Sequence, residues 1–412
     1  MDGFQLTGLL LTAVAFLGYL NHRFVRLPDT VGITAVGMAC SLIMLVVGQY
    51  ADLAIIAKAK VFVASFDFSE IVFQGLLGLL LFAGALHVDI SSLRDHKWPI
   101  FVLSTIGVLM STALVGFGFY AALTLLGLDI PLLWCLAFGA LISPTDPVVV
   151  MGVLRSVGLP KSLEHKIVGE ALFNDGAAVV VFATLVGMAS GSISDVSFTG
   201  VAWLLIHEVA GAAIIASILG FGALWLLNKI DSNTVEIFST LALATAGYQL
   251  AGAVGASAPL AVVFMGLIFG SNGFNFCASD RAREHLFNFW SLLDELLNFT
   301  LFGLIGLQAL TLTVDFTHLS LGAIAIVIVL VSRFLSVGIP LGFFRTPEVG
   351  RTLRVKVLTW AGLRGGISIA LALSLPTFEH RELVQGVTYV VVAFSLLVQA
   401  LTLKRMVARW RR

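Results

Sequence analysis

Charged side chains are scarce in this sequence. Asp, Glu, Lys and Arg make up 12% of its 412 residues, whereas soluble domains carry roughly 25%. Hydrophobic residues make up 58%, and the mean hydropathy is +1.01. This balance excludes a large soluble domain and predicts an all-α polytopic membrane protein.

The sequence has only three cysteines and no net charge. Cys40, Cys135 and Cys277 are far apart and match neither a disulfide framework nor a zinc site. The formal net charge is zero, which gives no indication of a nucleic-acid partner. Asp2 is the only charged residue before the first apolar stretch, which therefore lacks the basic start of a cleavable signal. We expect that stretch to be a retained helix.

Long apolar segments make up most of the sequence. A transmembrane helix needs about 20 mostly apolar residues, and breaks at charged, proline and glycine-rich positions leave about thirteen candidates. If the seventh is a connecting helix at 199–228, the others form two six-helix repeats, 4–190 and 234–408. The odd number of intervening helices inverts one repeat relative to the other. The candidates lie near 4–20, 29–49, 70–88, 98–127, 132–155, 164–190, 199–228, 234–252, 258–271, 285–311, 317–344, 353–375 and 382–408.

Lysine and arginine are distributed unevenly among the predicted loops. Of 24 such residues, 19 follow odd-numbered helices or lie in the C-terminal tail, and three follow even-numbered helices. Basic loops stay in the cytoplasm. The sequence therefore predicts a cytoplasmic C-terminus and an N-terminus outside. The remaining two, Arg333 and Arg364, fall inside predicted spans, where a charge is costly and usually paired or functional.

The fifth predicted helix contains the run ISPTDPVVVMG, with Pro144, Asp146 and Pro147 at membrane depth. One proline would be explained by a simple kink. Two prolines around an aspartate disfavour helical geometry over the run Ser143 to Pro147, which we expect to be unwound. Unwound backbone at this depth is tolerated where it lines a cavity, so the run predicts an ion or substrate site.

The sixth predicted helix reads VGEALFNDGAAVVVF. Glu170 and Asn174 share a face, whereas Asp175 lies about 140° around the helix from Glu170. The two carboxylates should therefore have different neighbours and different roles. The alternative for Asp175 is an interior polar residue that only forms hydrogen bonds.

The twelfth predicted helix reads LTWAGLRGGISIALALSLP. Gly365 and Gly366 weaken the helix beside Arg364, which predicts a second break. Both breaks fall in the fifth helix of their repeat. Paired interrupted helices at matching positions indicate a midplane binding site in inverted-repeat transporters.

The motifs SPTDPV, GEALFNDG and WAGLRGG, in this order on these helices, resemble the monovalent cation–proton antiporter superfamily. The closest resemblance is to its electroneutral sodium–proton exchangers, in particular the bacterial NhaP-like proteins. The resemblance implies a thirteen-helix fold, with a dimerisation domain and a mobile six-helix core in which the two broken helices cross. It also implies a homodimer with an elevator-like motion in the plasma (inner) membrane of a prokaryote.

The same resemblance implies the ion-site residues. Asp175 matches the carboxylate that binds the cation or the proton, and Asn174 matches its neutral neighbour. Thr145 and Asp146 match the unwound segment that completes the sodium site.

The resemblance further implies structural roles around this site. Glu170 and Arg333 match a buried ion pair, and Arg364 matches the arginine at the second break. Pro144 and Pro147 match the prolines of the unwound segment.

Some acidic and neutral positions do not follow the resemblance. Ala171, Ala83 and Gln308 stand where some relatives carry a serine, an acidic residue and a glutamate, respectively. Asp294 and Glu295, in the tenth predicted helix, are interpreted as a structural cap towards one end of it.

These residues predict a secondary active antiporter and not an enzyme. A carboxyl buried at mid-membrane resists ionisation, so Asp175 can hold either a proton or a hard cation. With Asn174 in place of a second titrating group, one cation exchanges for one proton, which is electroneutral. The cycle needs no ATP or cofactor, only the cation (Na⁺, with K⁺ or Li⁺ as alternatives), H⁺ and membrane lipid. The competing functions are K⁺/H⁺ antiport and a cation channel with Asp146 and Asp175 as filter charges.

Overall fold

The computed structural model describes residues 3–50, 54–88, 90–154, 161–193, 198–228, 232–276, 280–312, 315–343 and 350–410. These residues are helical almost throughout, and no β-strand occurs among them. The α-helices are α1 (Gly3–Leu20), α2 (Asp29–Tyr50), α3 (Ala54–Ala64), α4 (Phe68–Glu70), α5 (Leu77–Leu86), α6 (Ile90–Asp95), α7 (Lys97–Ser104), α8 (Ile106–Leu125), α9 (Leu132–Leu141), α10 (Pro147–Leu154), α11 (Lys161–Ala189), α12 (Phe198–Leu227), α13 (Asn233–Ala253), α14 (Ala258–Phe276), α15 (Asp280–Gln308), α16 (Phe316–Leu341), α17 (Arg351–Trp360), α18 (Gly366–Leu373), α19 (Arg381–Phe394) and α20 (Ala400–Trp410).

Three π-helical turns interrupt or extend these helices. They follow α1 at Asn21–Val25, precede α5 at Ile71–Leu76, and join α19 to α20 at Ser395–Gln399. Hydrophobic periodicity does not distinguish such turns from α-helix, and the sequence did not predict them.

Nine helical stretches within the described ranges are long and apolar enough to cross a membrane. The chain is therefore a multi-pass, all-helical membrane protein, as the composition predicts. The count of thirteen helices and the repeat boundaries 4–190, 199–228 and 234–408 stay predictions.

Both predicted helix breaks occur. α9 ends at Leu141 and α10 begins at Pro147, and α17 ends at Trp360 before α18 begins at Gly366. The prediction placed the end of the first unwound stretch one residue too late, because Pro147 is the first residue of α10. Proline suits that position, since the N–H that it lacks would have no partner within the helix.

The helices pack in two groups. The first helix group contains α1, α2, α5, α12, α13, α14 and α15, in which α2 packs on α15 and α14 packs on α5, α12 and α13. The second helix group contains α7 to α11 and α16 to α20, in which α8 packs on α9 and α16 and α11 packs on α9. A smaller set of contacts joins the groups. Both broken helices belong to the second group.

Helices α8 and α9 touch through their backbones at Gly139. A Cβ atom added to Gly139 would overlap the carbonyl oxygen of Thr112 and lie 3.0 Å from the backbone nitrogen of Gly116. Neither neighbour is a side chain that can turn away. Glycine at position 139 therefore allows α8 and α9 to approach until their backbones are in contact.

We expect Gly139→Ala to lower thermal stability in detergent by about 1–3 kcal/mol, because the added methyl group would push α8 and α9 apart. The matched control is Gly222→Ala on α12, where no atom of the described residues lies within 4 Å of the added Cβ. That control should be neutral or stabilising, since alanine favours helix more than glycine does. Equal melting temperatures for Gly139→Ala and wild type would contradict the backbone contact.

Candidate ion-binding site

The two unwound stretches cross each other at their centres. The backbone N–H of Asp146 donates to the carbonyl oxygen of Leu363 across 2.8 Å. Beside this bond, a Cβ atom on Gly365 would overlap the carboxylate of Asp146. Glycine at 365 therefore permits the approach that brings an acidic side chain of one break against the backbone of the other.

Arg364 binds the end of the first half-helix. Its Nη1 atom donates to the carbonyl oxygens of Ser143 (2.6 Å) and Pro144 (2.9 Å). These carbonyls follow α9, where the last turn of a helix has no donors of its own. The guanidinium is 1% exposed, and its charge lies at the negative end of a helix dipole, which is the favourable end for a cation.

Asp146 binds the start of the second half-helix. Its Oδ1 atom accepts hydrogen bonds from the backbone N–H groups of Val148 (2.9 Å) and Val149 (3.4 Å). The carboxylate therefore caps α10 at the positive end of its dipole. Between them, Arg364 and Asp146 compensate the two helix ends that the break creates.

Asn174 holds the unwound stretch from the side. Its Nδ2 atom donates to Thr145 Oγ1 at 2.7 Å, and its Oδ1 atom accepts from the backbone N–H of Thr145 at 3.4 Å. The amide thus bonds Thr145 at both ends. Asn174 is not among the residues that line the adjacent cavity.

Asp175 faces that cavity. Its side chain is 5% exposed, and its Oδ1 atom has no hydrogen-bond partner in the described part of the chain. Thr145 and Asp146 line the same cavity, whose volume is about 110 Å³, which is enough for several water molecules or a partly hydrated ion. Carboxylates from Asp146 and Asp175 and the hydroxyl of Thr145 therefore line one buried space, together with Asp294 and Ser368.

The cavity lies between the two helix groups. The second group contributes the polar wall, from the unwound stretch, α11 and the start of α18. The first group contributes α5 and α15, mainly through leucines. The lining residues from the first group include Leu77, Leu80, Leu81, Gly84, Asn298 and Leu301.

Asp294 also lines this cavity, which the sequence analysis did not predict. The interpretation of Asp294 as a cap towards a helix end was wrong, because the residue lies at the middle of α15. A carboxylate at mid-helix in a predicted span is the signal that could have identified it. Nearby, His87 Nε2 lies 2.9 Å from Ser291 Oγ, one turn before Asp294 on α15.

Glu170 lies away from the cavity and pairs with Arg333. The Glu170 Oε1 and Arg333 Nη1 atoms are 2.5 Å apart, and the two residues are 1% and 7% exposed. Arg333 also lies against Gly362, where a Cβ atom would come within 2.5 Å of Nε. The pair therefore connects α11 to α16 beside the second break, while Asp175 on the same helix faces the ion cavity.

Known proteins resemble the chain over its whole length. The model of the sodium/hydrogen exchanger transmembrane family matches residues 11–409. The Na⁺/H⁺ antiporter NhaP of Pseudomonas aeruginosa is 42% identical over 98% of this chain and 96% of its own length. The Na⁺/H⁺ antiporter NhaG of Bacillus atrophaeus is 34% identical, over 92% of this chain and 72% of its own.

A solved structure shares the fold. The sodium proton antiporter MjNhaP1 from Methanocaldococcus jannaschii, at pH 8, superimposes with a TM-score of 0.77. The match covers 100% of this chain and 99% of that protein, at 18% sequence identity.

We predict that Glu170→Gln or Arg333→Gln lowers thermal stability in detergent by roughly 3–5 kcal/mol, because each leaves one charge buried without its partner. The double variant should recover part of this loss, since no lone charge remains. Melting curves of the three variants and wild type test this. A single variant as stable as wild type but altered in cation affinity would instead make Glu170 part of the ion site.

Proposed function

The chain belongs to the sodium/hydrogen exchanger family, and on that premise we propose that it exchanges Na⁺ for H⁺ across the membrane, one for one. In this proposal Asp175 binds either the cation or the proton. The observation that carries it is the buried Asp175 Oδ1 atom, which has no partner in the described ranges and faces the cavity.

Four other ionic side chains beside the two breaks have partners, which supports Asp175 as the carrier. Asp146 and Arg364 bind backbone groups at the two helix ends. Glu170 and Arg333 bind each other. Asn174 is neutral and bonded to Thr145, so we assign it a positioning role for the unwound stretch and not direct contact with the cation.

Charge burial then couples the two ions. A bare carboxylate is expensive to hold in a low-dielectric interior, so the second helix group crosses readily only when Asp175 is loaded. A bound proton and a bound Na⁺ leave the same net charge on the site. One exchanging group therefore gives electroneutral transport. Oxygen ligands from Asp175, Asp146 and Thr145 suit a hard cation such as Na⁺.

The position of the cavity supports alternating access. On one side α18 packs against α4 and the π-helical turn at Ile71–Leu76, where Phe68 and Val72 are 3% and 1% exposed. On the predicted cytoplasmic side, Gly84 is partly exposed and His87 is exposed. We infer an arrangement open to the cytoplasm, from which the second helix group moves past the first. The homodimer stays a prediction.

We expect Asp175→Asn to abolish Na⁺-dependent proton flux in everted vesicles, because it removes the group that exchanges one ion for the other. The protein should still fold and insert, since asparagine has nearly the same shape. The matched control is Asp315→Asn at the exposed start of α16, where asparagine caps a helix as well as aspartate does. More than a small residual flux in Asp175→Asn would refute the assignment.

The proposed stoichiometry predicts that Na⁺ addition produces no sustained current on a supported membrane. Each turnover moves no net charge, so an imposed membrane potential should leave the exchange rate in vesicles unchanged. A small binding transient is compatible with this result. A sustained current would mean that a second group releases a proton, and Asp146 would be the first to test.

A further inference from the structure

Ser368 has an unusual environment for a serine in a helix. It lies in the first turn of α18 and is 1% exposed. Its Oγ atom has no hydrogen-bond partner anywhere in the described part of the protein. The residue lines the same cavity as Asp146 and Asp175.

Several hydroxyls in these helices bond to the carbonyl three or four residues earlier, as serine and threonine commonly do. Thr112 and Thr359 lack such a bond among the described residues, but neither lines the cavity as Ser368 does. Thr388 Oγ1 donates to the carbonyl of Val384 at 2.7 Å, and Thr184 Oγ1 donates to that of Val180 at 2.9 Å. Directly after α18, the exposed Ser374 follows the same pattern, since its Oγ donates to the carbonyl of Leu371 at 2.8 Å.

The helix break removes this partner from Ser368. The residues three and four positions earlier are Gly365 and Arg364, which lie in the unwound stretch before α18. Gly365 is extended, with φ −132° and ψ −151°, so the backbone before Ser368 does not follow the helical path. The hydroxyl is left facing a cavity that already holds the free carboxylate oxygen of Asp175.

A buried hydroxyl without a partner is unfavourable unless something in the cavity binds it. Asn174 does not do so here, because its amide is directed at Thr145, which it bonds at both ends. Ala171, one turn before Asp175, carries no oxygen. The Ser368 hydroxyl therefore gains a partner only from a water molecule or an ion that occupies the cavity.

We propose that Ser368 Oγ is a direct ligand of the transported cation, contributed by the second broken helix opposite Asp175. This inference rests on the proposed antiport function. Hard monovalent cations are bound by several oxygens, and a hydroxyl adds one without adding charge. Ser368 therefore sets cation affinity but leaves the exchange ratio unchanged.

The test compares Ser368→Ala with Ser374→Ala in everted vesicles. Ser368→Ala should raise the Na⁺ concentration for half-maximal proton flux by about tenfold or more, as loss of one ligand to a charged group predicts. The flux at saturating Na⁺ should be retained. Ser374→Ala, which removes a hydroxyl that lies directly after the same helix and is bonded to its backbone, should leave both values unchanged.

A binding measurement on purified protein separates a ligand from a structural residue. NaCl should raise the melting temperature of wild type and Ser374→Ala at lower concentrations than it does for Ser368→Ala. Without Na⁺, Ser368→Ala should melt no lower than wild type, because no hydrogen bond is lost. If Ser368→Ala does not fold, Ser368→Cys keeps the side-chain size while replacing a hard oxygen with a soft sulfur, and it should show the same weakened Na⁺ response.

Half-saturating Na⁺ within twofold of wild type in the folded Ser368 variant would overturn the ligand assignment. A lower melting temperature without Na⁺, together with unchanged Na⁺ affinity, would make Ser368 structural and overturn it as well. Absence of Na⁺-dependent proton flux in wild type would instead refute the antiport function itself, so the two failures are distinguishable.

Discussion

The arrangement of this protein depends on satisfying the backbone where two helices are broken inside the membrane. An unwound stretch exposes carbonyl and N–H groups that hydrocarbon cannot solvate. Here Arg364 binds the carbonyls after α9, Asp146 caps α10, and the Asp146 N–H bonds to Leu363 on the other break. The second break thus supplies a donor for the carbonyls of the first, and the first supplies a backbone N–H for a carbonyl of the second. The crossing is thus stable at a depth where either stretch alone would be strongly unfavourable.

About one and a half turns of α11 carry three polar side chains that point in different directions and have different contacts. Glu170 turns towards Arg333 on α16. Asn174 bonds to Thr145 in the unwound stretch, and Asp175 faces the cavity. Five residues of a helix rotate a side chain through about 140° from its starting direction. One rigid helix therefore positions an internal ion pair, a support for the break and the candidate ion carrier.

Local sequence predicted the features that local chemistry controls. Pro144 and Pro147 indicated the first break, and Gly365 beside Arg364 indicated the second, because these residues alter the backbone wherever they occur. The cavity roles of Asp294 and Ser368 could not be assigned in this way, although the position of Asp294 within a predicted span marks it as a candidate. Their part in the cavity depends on how α15 meets α11 and α18, and that register is set by packing between distant segments. The π-helical turns also escaped prediction, since no pattern in their residues separates π-helix from α-helix.

The backbone contact between α8 and α9 at Gly139 bears on where movement is possible. A broken helix resembles a hinge, but α9 lies directly against the Thr112 carbonyl of α8, and α8 packs in turn on α16. Arg333 on α16 rests on the second break at Gly362. Contacts with neighbouring helices therefore support both breaks. In the proposed alternating-access motion, displacement would fall at the boundary between the two helix groups, where leucines such as Leu77, Leu81 and Leu301 face the polar wall and have no side-chain hydrogen bonds to break.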